Sequence, residues 1–141
     1  MKKKWIGIFI VLFIIAIQLW PVERTNPPVL SDIQAPPDVK DVLHAGCYDC
    51  HSNETHWPWY GYVAPVSWLV ASDVQEAREQ MNFSEWESIP AGDRPATVKH
   101  IWKAVEGGEM PLLMYRLMHP ASRLSEEQKK LLQDWSLSGS F

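Results

Sequence analysis

Residues 47 to 51 read Cys47-Tyr48-Asp49-Cys50-His51 and hold both cysteines of the chain. Two thiols three positions apart, followed at once by a histidine, form the attachment pattern of a c-type haem. Each thiol adds to one vinyl group of the porphyrin, and the turn between them presents His51 to the iron. A chain built this way must fold around a large flat group, and that requirement constrains it more than any other feature. Three other readings compete. A redox dithiol is expected in a βαβ context with a thiolate at a helix N-terminus. A structural zinc site draws on a second Cys or His pair, and His44, His56, His100 and His119 provide none at suitable spacing. A disulfide across so short a loop closes little chain and stabilises little.

The N-terminus bears on the same question, because haem is attached covalently outside the cytoplasm. Met1 is followed by Lys2, Lys3 and Lys4, then by an apolar run from Trp5 to Ile17, then by Gln18-Leu19-Trp20-Pro21. A basic stretch before an apolar one is the pattern of a secretory signal. No small-x-small cleavage site follows it, and Trp5 and Trp20 stand where interfacial aromatics belong. The expectation is a signal anchor over residues 1–22, a single transmembrane helix. It would place the protein in the inner membrane with its lysines inside and the haem domain in the periplasm. A periplasmic form after cleavage is the alternative.

The chain carries a net charge of −4, and because Lys2, Lys3 and Lys4 are three of its positive charges, the remainder carries −7. Such an acidic surface argues against nucleic-acid binding and suits docking to a basic redox partner. Residues 23–37 contain Pro27, Pro28, Pro36 and Pro37 with no apolar periodicity, and are read as an extended tether. Residues 38–141 form the remaining domain. It is small enough to need a filler beyond its own side chains, and a covalent porphyrin supplies one.

Four helices are expected in that domain. Val39, Val42 and Leu43 mark a short first helix ending near Gly46, which delivers Cys47. A longer one opens at Pro65, with Val66, Leu69, Val70, Val74, Ala77 and Met81 on one face. Thr97 to Glu106 carries Val98, Ile101, Trp102 and Val105 and stops at Gly107-Gly108. Ser125 with Gln128 reads as a capping box before Leu131, Leu132 and Trp135. No stretch alternates with period two. The fold class is therefore all-α.

Opposite His51, the iron needs a sixth ligand or an open position. Gly107-Gly108-Glu109-Met110-Pro111 is the segment best suited, because its glycines loosen the chain before Met110 and Pro111 denies Met110 the helical conformation. Met114, Met118, His119 and an open site remain alternatives. Met81 reads as core, His100 as the edge of a helix stripe, and His56 as too close to His51 to reach the far face. Trp57-Pro58-Trp59-Tyr60 follows the attachment site directly, and Trp57, Trp59 and Tyr60 are candidates to wall the porphyrin edge.

The run from Cys47 to Thr55 into Trp57-Pro58-Trp59-Tyr60 resembles the single-haem "haem-binding domain" family of exported bacterial c-type cytochrome-like proteins. So do Ala64-Pro65-Val66-Ser67-Trp68, Asn82-Phe83-Ser84-Glu85-Trp86, Gly108-Glu109-Met110-Pro111, Met118-His119-Pro120 and the closing Asp134-Trp135. The resemblance covers residues 38 to 136. It implies a small cytochrome-c-like helical domain, one haem held through Cys47 and Cys50, and His51 as the proximal ligand. The functional expectation is a membrane-anchored periplasmic monohaem c-type cytochrome that transfers single electrons and is not an enzyme. A haem-based gas or redox sensor with a weak or open sixth position is the first alternative, and a peroxidase-like catalyst the second.

Overall fold

The computed structural model describes residues 2–139. Among them every regular element is helical. The α-helices are α1 (Lys2–Gln18), α2 (Pro37–Gly46), α3 (Tyr48–His51), α4 (Val66–Gln80), α5 (Arg94–Glu106), α6 (Leu113–Met118) and α7 (Glu126–Ser138). Three 3-10 turns, Trp59–Tyr62, Phe83–Ser88 and Pro120–Ser122, lie between them.

The helix at the N-terminus corrects the expectation of a membrane anchor. It has 17 residues, and its first three are lysines, leaving an apolar stretch well short of the ~20 residues a hydrocarbon core requires. Among the described residues no helix is long and apolar enough to cross a membrane. Its C-terminal end turns onto the domain: Gln18 Nε2 donates to the Ala64 carbonyl at 3.2 Å, and Gln18 Oε1 accepts from the Ala64 N–H at 2.9 Å. The spanning anchor, the membrane as a partner and the inner-membrane placement are therefore not supported. The periplasmic placement rested on the same helix.

The proline-rich stretch does not stand the domain away from α1 but lies along the domain's side. Ile33 is fully buried in the core. The Leu30 and Ser31 N–H groups donate to the Ser84 carbonyl at 2.9 and 3.0 Å, and Asn53 Nδ2 donates to the Pro28 carbonyl at 2.9 Å. Arg78 on α4 ties the strap down further, donating to the Thr25 carbonyl, Asn26 Oδ1, the Ser52 carbonyl and Thr55 Oγ1 at 2.8–3.0 Å. Proline composition predicts an extended backbone here, and the side chains between the prolines decide that it is packed.

The core joins α2, α5, α7 and the 3-10 turn at Phe83–Ser88. Val39, Val42 and Leu43 meet Val98, Ile101 and Val105, with Leu132 and Trp135 closing one side and Phe83 and Trp86 the other. The capping box of α7 is present as expected, with Ser125 Oγ accepting from the Gln128 N–H at 3.2 Å and Gln128 Oε1 from the Ser125 N–H at 2.8 Å. On α4 the expected apolar face is only half right. Val74 and Ala77 are buried, whereas Val66 and Leu69 are exposed, because the helix packs against α3 and the Trp59–Tyr62 turn rather than into the core.

Asp32 links the strap to the cysteine segment. Its carboxylate accepts from the Tyr48 hydroxyl, from Lys40 Nζ and, at 2.8 Å, from the Ile33 N–H. Partial burial alone would raise its pKa, but these hydrogen bonds, with the Lys40 charge, hold the carboxyl below its ordinary value. A carboxyl depressed in the folded state adds stability above its unfolded pKa, and that stability is lost as pH falls through the folded value. The carboxylate is partly exposed and screened by solvent, so Asp32→Asn is expected to lower unfolding stability by about 0.5–1 kcal/mol at neutral pH. Denaturant titrations should show the difference shrinking towards zero below the aspartate range.

Candidate functional site

The five-residue motif occupies the corner between α2 and α4. Cys47 ends α2, donating its N–H to the Leu43 carbonyl at 2.8 Å. Its own carbonyl accepts from the Cys50 and His51 N–H groups at 3.1 and 2.9 Å, which closes the single turn of α3. Residues three and four apart on a helical turn share a face, so Cys47, Cys50 and His51 all line one cleft. The residues between them are used elsewhere. Tyr48 points into the core, stacking on Phe83 at 4.9 Å and under His44 at 3.6 Å. Asp49 accepts from the Tyr115 hydroxyl at 2.6 Å and from the His56 N–H at 3.0 Å.

The cleft has a volume of about 670 Å³, within the ~300–1,000 Å³ usual for cofactor sites. Helix α5 and the 107–112 loop form its far wall. The loop is shaped by Gly108, whose φ of 73° lies in the left-handed region that favours glycine. The Glu109 and Met110 N–H groups then both donate to the Ala104 carbonyl at 3.0 and 3.1 Å, which holds Met110 against the cleft. Met110 thus lies on the same cleft as His51. Met81 and His100 line it too. Met114 and Met118 are exposed and do not line it. His119 lies away from it, sharing a 2.7 Å hydrogen bond with the Tyr60 hydroxyl and stacking on Tyr115.

His51 is prepared as a metal ligand. Its Nδ1 lies 3.1 Å from both the Ala77 and the Met81 carbonyl oxygens. Two acceptors require that nitrogen to carry the proton, which leaves the lone pair on Nε2, the nitrogen available to a metal. Burial lowers the pKa of the imidazole, and the two carbonyl contacts only partly oppose that effect. The two carbonyls come from the last turn of α4 and the residue after it; the Ala77 carbonyl also accepts from the Met81 N–H at 2.9 Å, which closes the helix.

The thiols are free. Burial, with Cys50 beside it, pushes Cys47 up to about 12; burial, then Asp49 and Asp73, pushes Cys50 up to about 11. Redox dithiols instead lower a thiol pKa to expose a thiolate. Among the described residues no group of three or more His, Cys, Asp or Glu side chains is placed to hold a metal ion, which counts against zinc. Two thiols, one imidazole with its Nε2 free and one thioether around an apolar-walled cleft are the donor set a thioether-linked haem needs. Asp73, Glu76 and Glu109 also line the cleft, and among the described residues no lysine or arginine does.

The aromatic run does not wall this cleft. Thr55 Oγ1 donates to the Asp49 carbonyl at 2.7 Å, and with the His56 contact this turns the chain back across α3. Trp57 then lines a different cavity, of about 790 Å³, together with Trp68 and Arg78 of α4. Trp59 is largely exposed, and Tyr60 meets His119. The reading from the sequence missed Tyr115, which lines the cleft and anchors α6 to the motif through Asp49. It also missed the two backbone carbonyls that orient His51, for which no side chain could give a signal.

The family model described as "Haem-binding domain" matches residues 12–138. The chain belongs to this haem-binding domain family. It is a haem-binding protein, and the match extends back through the strap and into α1. No curated protein and no solved structure matches the chain at a significant level.

Proposed function

We propose that the chain carries one haem c, joined to Cys47 and Cys50, and works as a one-electron carrier rather than as a catalyst. The observation that carries this reading is the convergence of both thiols, His51 and Met110 on one cleft. Cys47 and Cys50 would hold the porphyrin as thioethers, each S–H adding across a vinyl group with no oxidant needed. Bound haem supplies an iron that changes by a single electron. His51 would bind the iron through Nε2, its ring fixed by the Ala77 and Met81 carbonyls. Met110 would supply the second protein ligand, and a soft sulfur donor paired with histidine would raise the potential towards electron transfer.

The carboxylates of Asp73, Glu76 and Glu109 act in the opposite sense, because negative charge near the iron favours its more positive state. A peroxidase-like reading loses support because His119, the conspicuous candidate for distal acid–base work, is hydrogen-bonded to Tyr60 outside the cleft.

The test is the mass and thiol count of the denatured protein after production in a host that matures c-type cytochromes. The expected mass exceeds that of the polypeptide by one haem, and iodoacetamide finds no cysteine to alkylate. A bare polypeptide mass with two alkylated cysteines would overturn covalent attachment.

A further inference from the structure

From Met110 to Leu124 the chain has no aspartate or glutamate and two arginines, Arg116 and Arg123, although carboxylates outnumber basic side chains 17 to 13 overall. The helix in this segment, α6, buries none of its residues. Tyr115 and the preceding Leu112 face the haem cleft. The other stripe pairs Leu113 with Leu117 and Met114 with Met118 at i, i+4 spacing, and these four side chains are 49% to 70% exposed. Trp59 is also 74% exposed. Its ring lies 5.8 Å from that of Tyr60, and Tyr60 is hydrogen-bonded to His119 at the end of α6.

Scattered exposed apolar side chains are ordinary, but a contiguous group at the lip of a cofactor cleft marks a contact surface. Two of the four are methionines, whose flexible side chains fit themselves to a partner.

We propose that this face of α6 docks a redox protein whose own contact surface is apolar at its centre and acidic around it. The proposal rests on the electron-carrier reading and names the partner of that same site. Arg116 and Arg123 attract such a partner to this face, while the carboxylates of the rest of the chain, Glu109, Asp73 and Glu76 on the cleft included, repel it elsewhere. Charge arranged in this way orients an encounter as well as accelerating it. Docking there brings the partner against Leu112 and Tyr115, the side chains that separate the patch from the cleft. The exchange moves one electron from the reduced partner to the ferric iron, with no bond made or broken.

Stopped-flow reduction of the haem-loaded full chain tests this, with a reduced acidic [2Fe–2S] ferredoxin as the protein donor and photoreduced lumiflavin as a small neutral one. Met114→Glu/Leu117→Glu is expected to lower the second-order rate with ferredoxin about tenfold and to leave the flavin rate unchanged. Met114→Lys/Leu117→Lys should keep the ferredoxin rate or raise it. An unchanged ferredoxin rate in the glutamate pair, or an equal fall in the lysine pair, would overturn the proposal. So would light scattering that finds a wild-type dimer dissolved by the glutamate pair, since a second copy would then occupy the face. A wild-type haem that neither donor reduces is a separate failure, that of the carrier reading itself.

Discussion

Replacing both Cys47 and Cys50 by serine is expected to yield a chain of bare polypeptide mass that has lost most of its folded stability. The cleft they line has a volume of about 670 Å³. Cavities left by truncated core side chains cost ~24 cal/mol per Å³. This cleft is partly open and its walls can close, so only a fraction of that cost applies. One fifth of it is still about 3 kcal/mol, against the ~5–15 kcal/mol by which whole domains are stable. The loss also falls on the core, because Phe83, Ile101 and Val105 face the cleft from one side and the buried cluster from the other. Circular dichroism and denaturant unfolding of the double variant would measure the effect. Native-like helicity with an unchanged midpoint would show that the porphyrin is not part of the core.

The elements legible in the sequence are those whose signal is local. Helices α2, α5 and α7 follow from apolar spacing, and Ser125 with Gln128 places the start of α7. The motif names its own chemistry, so the proximal side of the site is readable from five residues. What was missed depends on long-range partners. Burial of Ile33 in a proline-rich strap depends on Phe83 and Trp86 being free to receive it, and nothing around residue 33 announces that. The aromatic run misled for the same reason. Adjacency in sequence to His51 suggested adjacency in space, but Asp49 captures the backbone at His56 and sends Trp57 round to the far side of α4. The apolar helix at the N-terminus has the composition of an anchor without the length, since Gln18 ends it on the Ala64 backbone.

Met110→Ala is expected to abolish the weak near-red charge-transfer band that a sulfur–iron bond gives the oxidised protein. It should also lower the reduction potential by on the order of 0.1 V or more, out of the ~0.8 V span that axial ligands cover. The geometry separates Met110 from its rivals. Met81 accepts from His51 Nδ1 through its backbone carbonyl and therefore stands on the His51 side of the cleft. Met114 and Met118 project outward from α6, and His119 is held by Tyr60. His100 is the remaining competitor, one helical turn before Ala104, whose carbonyl fixes the Met110 loop. The spectra distinguish the two. Ligation by Met110 gives a band that is lost in Met110→Ala and kept in Met114→Ala and His100→Ala. Ligation by His100 gives no such band in the wild type and a low potential that rises in His100→Ala. The second outcome would assign the distal position to α5 and leave the methionine loop as a wall of the cleft. The carboxylates of Asp73, Glu76 and Glu109 would then lower the potential further with no sulfur to offset them, and the protein would work with strongly reducing partners.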